Sequence, residues 1–165
     1  MEINSVIQYL EFITESVTRM NSSLRRQLKY QCNEQFVREN GQLFKPKPLL
    51  SYIKKGRTHE CFMNAYHCAE RHNLLYVEGY AHSVIPTMHA WIADETGNAF
   101  DPTWKKMGEE YFGVVFPLEY VNKIIFAREC YGVIDSWELG FPLLTGEHEY
   151  PITEETLRKE VSKLL

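Results

Sequence analysis

CFMNAYHCAERHNLLYVEGYAHSVIPTMHAWIADETGNAFDPTW, residues 61–104, supplies in order a cysteine that opens a helical segment, a histidine that opens a strand, and an aspartate on the following strand. Residues 61–71 lack Pro and Gly and carry Ala65 and Ala69, so they predict a helix that begins at Cys61 and ends before Asn73. A thiol in the first turn sits near the positive end of the helix dipole, among backbone N–H groups that have no intrahelical acceptor. Both features stabilise the thiolate, which is the reactive form. Cys61, Ala65, Cys68 and His72 fall on one helical stripe, and its small side chains let the helix lie close against a sheet.

The sheet follows directly. Residues 74–81 (LLYVEGYA) are aromatic and aliphatic and lead into a turn region, 82–88, that contains Pro86. Residues 89–94 (HAWIAD) alternate, and residues 99–104 (AFDPTW) read as their partner. Between them Glu95, Thr96 and Gly97 suit a three-residue hairpin loop closed by Gly97 in the left-handed region. In that register Asp94 opposes Asn98, Trp91 opposes Asp101 and His89 opposes Thr103. His89 and Asp101 are then diagonal neighbours on one face, roughly 5 to 8 Å apart at the backbone, a gap their side chains bridge. A two-residue turn would put them on opposite faces, so the loop length decides whether they meet.

The chemistry explains why these three residue types belong together. An imidazole takes the proton of a thiol and later delivers it to a leaving group. A carboxylate on the other ring nitrogen fixes the tautomer and favours the imidazolium. The thiolate then attacks an acyl carbon, with the Cys61 N–H as one oxyanion donor and Asn64, one turn into the helix, as a candidate second. Trp91 and Trp104 are placed to flank a substrate cleft.

A cysteine at a helix start, His-Ala-Trp on a strand and Asp-Pro-Thr-Trp on the next together resemble the core of the transglutaminase-like branch of the papain-like cysteine-enzyme superfamily. The resemblance covers about a quarter of the chain. It implies a Cys61–His89–Asp101 triad and acyl transfer at an amide, isopeptide or thioester bond, with no cofactor or metal. Lys55 stands roughly where papain-like enzymes carry the glutamine that completes the oxyanion hole, so the second donor departs from the family's pattern. The segments YVEGYA and YFGVVF resemble parts of small bacterial and phage proteins.

The rest of the chain frames this core. At 165 residues and 44% hydrophobic, one α+β domain is expected, with the Cys61 helix packed on an antiparallel sheet: a helical N-terminal part and loop over 1–56, the catalytic core over 57–104, and a completing segment over 105–165. Residues 3–20 place Ile3, Val6, Ile7, Leu10, Ile13 and Val17 at helical spacing, and residues 24–38 continue helically with a basic cluster at Arg25, Arg26 and Lys29. Residues 41–56, with Pro46, Pro48 and Gly56, read as a loop; Lys54, Lys55 and Arg57 then lie just before the thiol. Residues 111–116 read as a strand and 118–127 as a helix. Residues 130–139 fit strand or loop, and 140–151 read as loop. Thr153 is placed to cap a C-terminal helix.

A net charge of −4 and a pI near 5.9 argue against a general nucleic-acid or anionic-membrane binder. No run approaches the length of a membrane span, and four cysteines without paired spacing fit a reducing cytoplasm better than a disulfide framework. The expected partner is a peptide, a protein or a small acyl compound.

Each residue also has an ordinary reading. Cys61 suits a buried small hydrophobe, His89 a half-buried strand residue, Asp101 a turn initiator before Pro102, and the tryptophans cross-strand packing. Glu78 reads as a strand-end charge or a second acid. The stripe Cys61, Cys68 and His72 carries zinc-type ligands, but spans about 16 Å of helix, too far for one ion; Cys68 with His72 alone stays open. The competing function is a binding or inhibitor protein in which the thiol is incidental.

Overall fold

The structure, a computed structural model, describes residues 5–20 and 28–146. In chain order these form α1 (Val6–Met20), α2 (Asn33–Asn40), β1 (Gln42–Lys47), α3 (Cys61–His72), β2 (Leu75–His82), β3 (Pro86–Ala93), β4 (Asn98–Phe100), β5 (Glu110–Phe116), α4 (Leu118–Arg128) and a short α5 (Pro142–Thr145). Helices and strands are mixed as the sequence predicts, but the strands close into a small barrel in the order β1-β4-β3-β2-β5. The sheet is not wholly antiparallel, because β1 runs parallel to β4. None of the described helices is long and apolar enough to cross a membrane. Ile3, Arg25, Arg26 and the C-terminal helix expected from Thr153 lie outside the described residues.

The β3–β4 hairpin keeps the expected register, with Ile92 opposite Phe100 and Ala93 opposite Ala99. Its turn is held by Asp94, whose Oδ1 accepts from the N–H of Thr96 and of Asn98, and by Gly97 at φ 81°. Strand β4 ends at Phe100, short of the expected Trp104, since Pro102 has no N–H to extend the ladder.

Residues 42–47 correct the expectation of a loop. They form the strand that closes the barrel, pairing with β5 through Gln42, Leu43 and Phe44 and with β4 through Lys45, Pro46 and Lys47. Only Phe44 in this strand is buried, so the segment shows neither a two-residue alternation nor an apolar run. Because each partner is engaged through three residues, the missing N–H of Pro46 removes at most one rung. The continuous helix expected over 24–38 is likewise corrected: α2 begins at Asn33, where Cys32 adopts an extended backbone and its sulfur accepts from the Gln35 N–H.

The barrel interior is filled by Phe44, Val77, Ala81, Trp91, Ala93, Ala99 and Tyr111. The Trp91 indole is central, with Phe44 at 5.7 Å and Tyr111 at 5.1 Å, both edge-on. A second, larger core lies outside the barrel, where Tyr76, Tyr80, Ile92, Phe112 and Phe116 meet the helices. Helix α3 packs on β3 and β2 through Ala65 and Ala69, both fully buried, which is the close approach that its small residues predict.

So narrow a barrel needs backbone contact between β2 and β5, and Gly79 faces Gly113 there. A Cβ on Gly79 would lie 2.3 Å from the Phe112 carbonyl oxygen; one on Gly113 would lie 2.6 Å from both the Glu78 carbonyl oxygen and the Trp91 ring. These neighbours are backbone and a locked indole, so neither gives way cheaply. Gly97, by contrast, has positive φ with open space around it. We expect Gly113→Ala to lower the unfolding free energy in urea by about 3 kcal/mol or more, and Gly97→Ala by about 1 kcal/mol, since the first adds overpacking and the second only backbone strain.

Candidate active site

Cys61 is the first residue of α3, so its N–H has no intrahelical acceptor. The chain reaches it through His59, held in the left-handed region at φ 67°, and Glu60, whose carbonyl accepts from the Asn64 N–H. On β3 the alternation that sends Ala90 and Ile92 outward turns His89, with Trp91 and Ala93, toward the barrel. Asp101 follows the last residue of β4 directly.

These three side chains meet at the barrel mouth. His89 Nε2 lies 2.9 Å from Asp101 Oδ2, and each side chain is only 2% exposed. With Nε2 committed, Nδ1 is the ring nitrogen left to face the Cys61 thiol, whose presence raises the affinity of the imidazole for a proton. The indole of Trp104 stacks on the imidazole, with centroids 4.1 Å apart and planes at 25°. The stack shields the ring from water and favours its cationic form.

Asp101 is the most heavily bonded group in the site. Its Oδ1 accepts from the N–H of Thr103 (2.7 Å) and of Trp104 (3.0 Å), and its Oδ2 also accepts from the Tyr111 hydroxyl at 2.9 Å. The Tyr111 oxygen in turn accepts from the Gly108 N–H. Burial raises the carboxyl pKa, but the bond and charge of His89, with the two backbone donors, outweigh it and hold Asp101 below the usual 3.8. Burial lowers the pKa of His89, but hydrogen bonds to Asp101 and Cys61 and their charges raise it to about 9, from the usual 6.5. Burial and the Asp101 charge both push the Tyr111 hydroxyl upward, so it stays a donor.

The loop before α3 is fastened to the loop after β4. Gly56 N–H donates to the Pro102 carbonyl at 2.8 Å, and the Lys55 ammonium reaches the carbonyls of Trp104 and Lys105. Asn64 Nδ2 donates to the Arg57 carbonyl at 2.7 Å and to Thr103 Oγ1 at 3.0 Å. A Cβ on Gly56 would lie 2.0 Å from Asn64 Oδ1, so the amide and the glycine fit as a pair. Beside this seam opens a cleft of about 470 Å³, lined by Cys61, His89, Thr103 and Trp104 on the catalytic side and by Thr87 and Met88 on the β3 side.

The structure therefore brings Cys61, His89, Asp101 and Trp104 together. It separates Trp91, which is fully buried inside the barrel and faces no cleft. Asn64 serves the seam: both hydrogens of its amide already have acceptors, which removes it as an oxyanion donor in this arrangement. Lys55 is tied to the same seam. Glu78 is no strand-end charge, since it is fully buried and accepts from Tyr76 OH (2.6 Å), Val133 N–H (2.7 Å) and Ile134 N–H (3.0 Å). Burial raises its pKa against those three donors, and it pins the 133–134 backbone to β2. His72 meets the Tyr52 ring at a tilt of 57°, and burial pushes the pKa of the Cys68 thiol up. Among the described residues no group of three or more His, Cys, Asp or Glu side chains is placed to hold a metal ion.

Comparison with family models, with curated proteins and with solved structures returned no match. The site must accordingly be read from its own geometry.

Sequence reasoning missed Tyr111, Thr103 and Gly56. Tyr111 reaches Asp101 only because β5 joins β2 and β1, a pairing that no local signal announces. We expect Tyr111→Phe, which strips Asp101 of a donor and leaves the Gly108 N–H without its acceptor, to cost about 1–3 kcal/mol in chemical denaturation. The raised pKa of His89 also sets a pH dependence. A group whose folded pKa exceeds its unfolded one stabilises fully below the unfolded value and loses that contribution as pH rises through the folded value. Unfolding free energy is expected to fall by on the order of 2–3 kcal/mol between pH 6.5 and pH 9, and the fall should vanish in His89→Gln.

Proposed function

We propose that the protein is a cysteine-dependent hydrolase or acyltransferase acting on an amide, isopeptide or thioester bond. The observation that carries this reading is a buried imidazole that holds Asp101 through one nitrogen and shares a cleft with a thiol at the start of a helix. A histidine that merely filled the core would need neither a thiol partner at a helix start nor an acid with four donors. The resemblance of the Cys, His-Ala-Trp and Asp-Pro-Thr-Trp elements to the transglutaminase-like branch agrees with it.

In this mechanism Cys61 and His89 share a proton that rests on the imidazole, leaving a thiolate at the positive end of α3. The thiolate sulfur attacks the acyl carbon, and the Cys61 N–H receives part of the developing oxyanion charge. As the carbon–heteroatom bond breaks, His89 gives its proton to the leaving amine or thiol, and the acyl group remains on sulfur as a thioester. Neutral His89 then takes a proton from water or an amine, which attacks the thioester and releases the Cys61 thiolate. Asp101 keeps the ring in the tautomer that points its other nitrogen at sulfur and stabilises the cation throughout. Raised basicity at His89 suits the first half of the cycle, because the acid is already charged at neutral pH.

Site-resolved alkylation with iodoacetamide is the direct test. Cys61 should label at pH 6 at least about tenfold faster in the parent than in His89→Ala, because the variant thiol has no adjacent base to take its proton. Slow labelling that is indifferent to the substitution would sink the reading. With an acyl substrate in hand, Asp101→Asn should lower kcat by about 10²-fold or more.

A further inference from the structure

We infer that the acyl donor carries a carboxylate or phosphate next to its reacting carbon, and that Lys105 and Lys106 recognise that anion. The inference rests on Cys61 being the nucleophile and adds the charge of what it attacks.

The two loops that meet along the seam, 54–59 and 102–107, carry Lys54, Lys55, Arg57, Lys105 and Lys106 and no acidic residue. In a chain of net charge −4 this is a local reversal of sign. Not all of these cations are available. Lys55 is held by the carbonyls of Trp104 and Lys105, and Arg57 lies 3.7 Å from Glu60. Lys105 and Lys106 are exposed, line the cleft together with Cys61 and His89, and have no ion-pair partner among the described residues. Thr87, Met88 and Thr103, which also line the cleft, carry no charge. No Asp or Glu faces the cleft to offset them, because Asp101 is sealed beneath the Trp104–His89 stack.

This arrangement has a chemical consequence. Two ammonium groups lining the cleft that holds the attacking sulfur raise the local concentration of anionic donors. The seam supports the selectivity: Trp104 and Lys105 are both gripped by Lys55, which fixes the backbone that presents the two lysines.

A pair of alkylators of nearly equal size reads the proposal without a known substrate. Iodoacetate is anionic and iodoacetamide neutral, and each transfers its methylene carbon to the Cys61 sulfur with loss of iodide. At low ionic strength iodoacetate should label Cys61 about tenfold faster, relative to iodoacetamide, than it labels a free thiol, and added salt should erode the difference. Lys105→Gln with Lys106→Gln should bring the ratio of the iodoacetate to the iodoacetamide rate close to that of a free thiol, and Lys105→Glu with Lys106→Glu should take it below that value. Succinate and inorganic phosphate, added as competitors of iodoacetate, distinguish the two anions by which protects better. Slow iodoacetamide labelling in the parent would overturn the nucleophile reading itself. Fast iodoacetamide labelling with an iodoacetate rate indifferent to the lysines, or protection by neither competitor, would overturn the anion assignment alone.

Discussion

The contact between His89 and Asp101 organises the barrel mouth. A carboxylate and an imidazole, each almost wholly out of water, survive together only because their charges are opposite and their remaining valences are filled. Two backbone N–H groups, a phenol and the imidazole satisfy the carboxylate; a thiol and an indole face complete the surroundings of the ring. Remove either partner and the other is a buried charge without compensation. The turn at Asp101, the place of β5 and the lie of Trp104 all follow from meeting that demand.

Much of this was legible because it is local. The helix start at Cys61, the hairpin turn at Asp94 to Gly97 and hence the shared side of His89 and Asp101 depend on residues within a few positions of one another. Gly97 and the side chain of Asp94 specify the loop length, and the length specifies which side chains meet. What was not legible is non-local. The strand at 42–47 has one buried residue and a proline, so its identity comes from two neighbours distant in sequence. Trp91 occupies a strand position indistinguishable by pattern from one facing a cleft, and only barrel closure makes that side an interior. Glu78 looked like a surface charge until the 133–134 backbone supplied its donors.

Polar economy explains the seam as well. Gly56, Asn64 and Thr103 carry no chemistry of their own, yet they bind the loop before the nucleophile to the loop after the acid. Asn64 was expected near the oxyanion and is found instead one layer below, holding the two backbones at a fixed separation. A small domain positions reactive atoms by such crossties, because its loops are too short to be held by a core of their own.

Strand β1 lies between β4 and β5, next to the strands that lead to Asp101 and carry Tyr111. The segment that contributes no reactive atom is thus the keystone of the site's geometry. Cys61, His89 and Asp101 sit within a stretch of about forty residues that forms a helix and a hairpin quickly, whereas the contacts of β1 with β5 span nearly seventy positions of chain. Closure of that long loop carries the larger entropic cost and comes late in assembly. Competence is therefore deferred: the acid that charges the base belongs to the local stretch, but the Tyr111 hydroxyl that holds this acid is seated only when the ring of strands is complete.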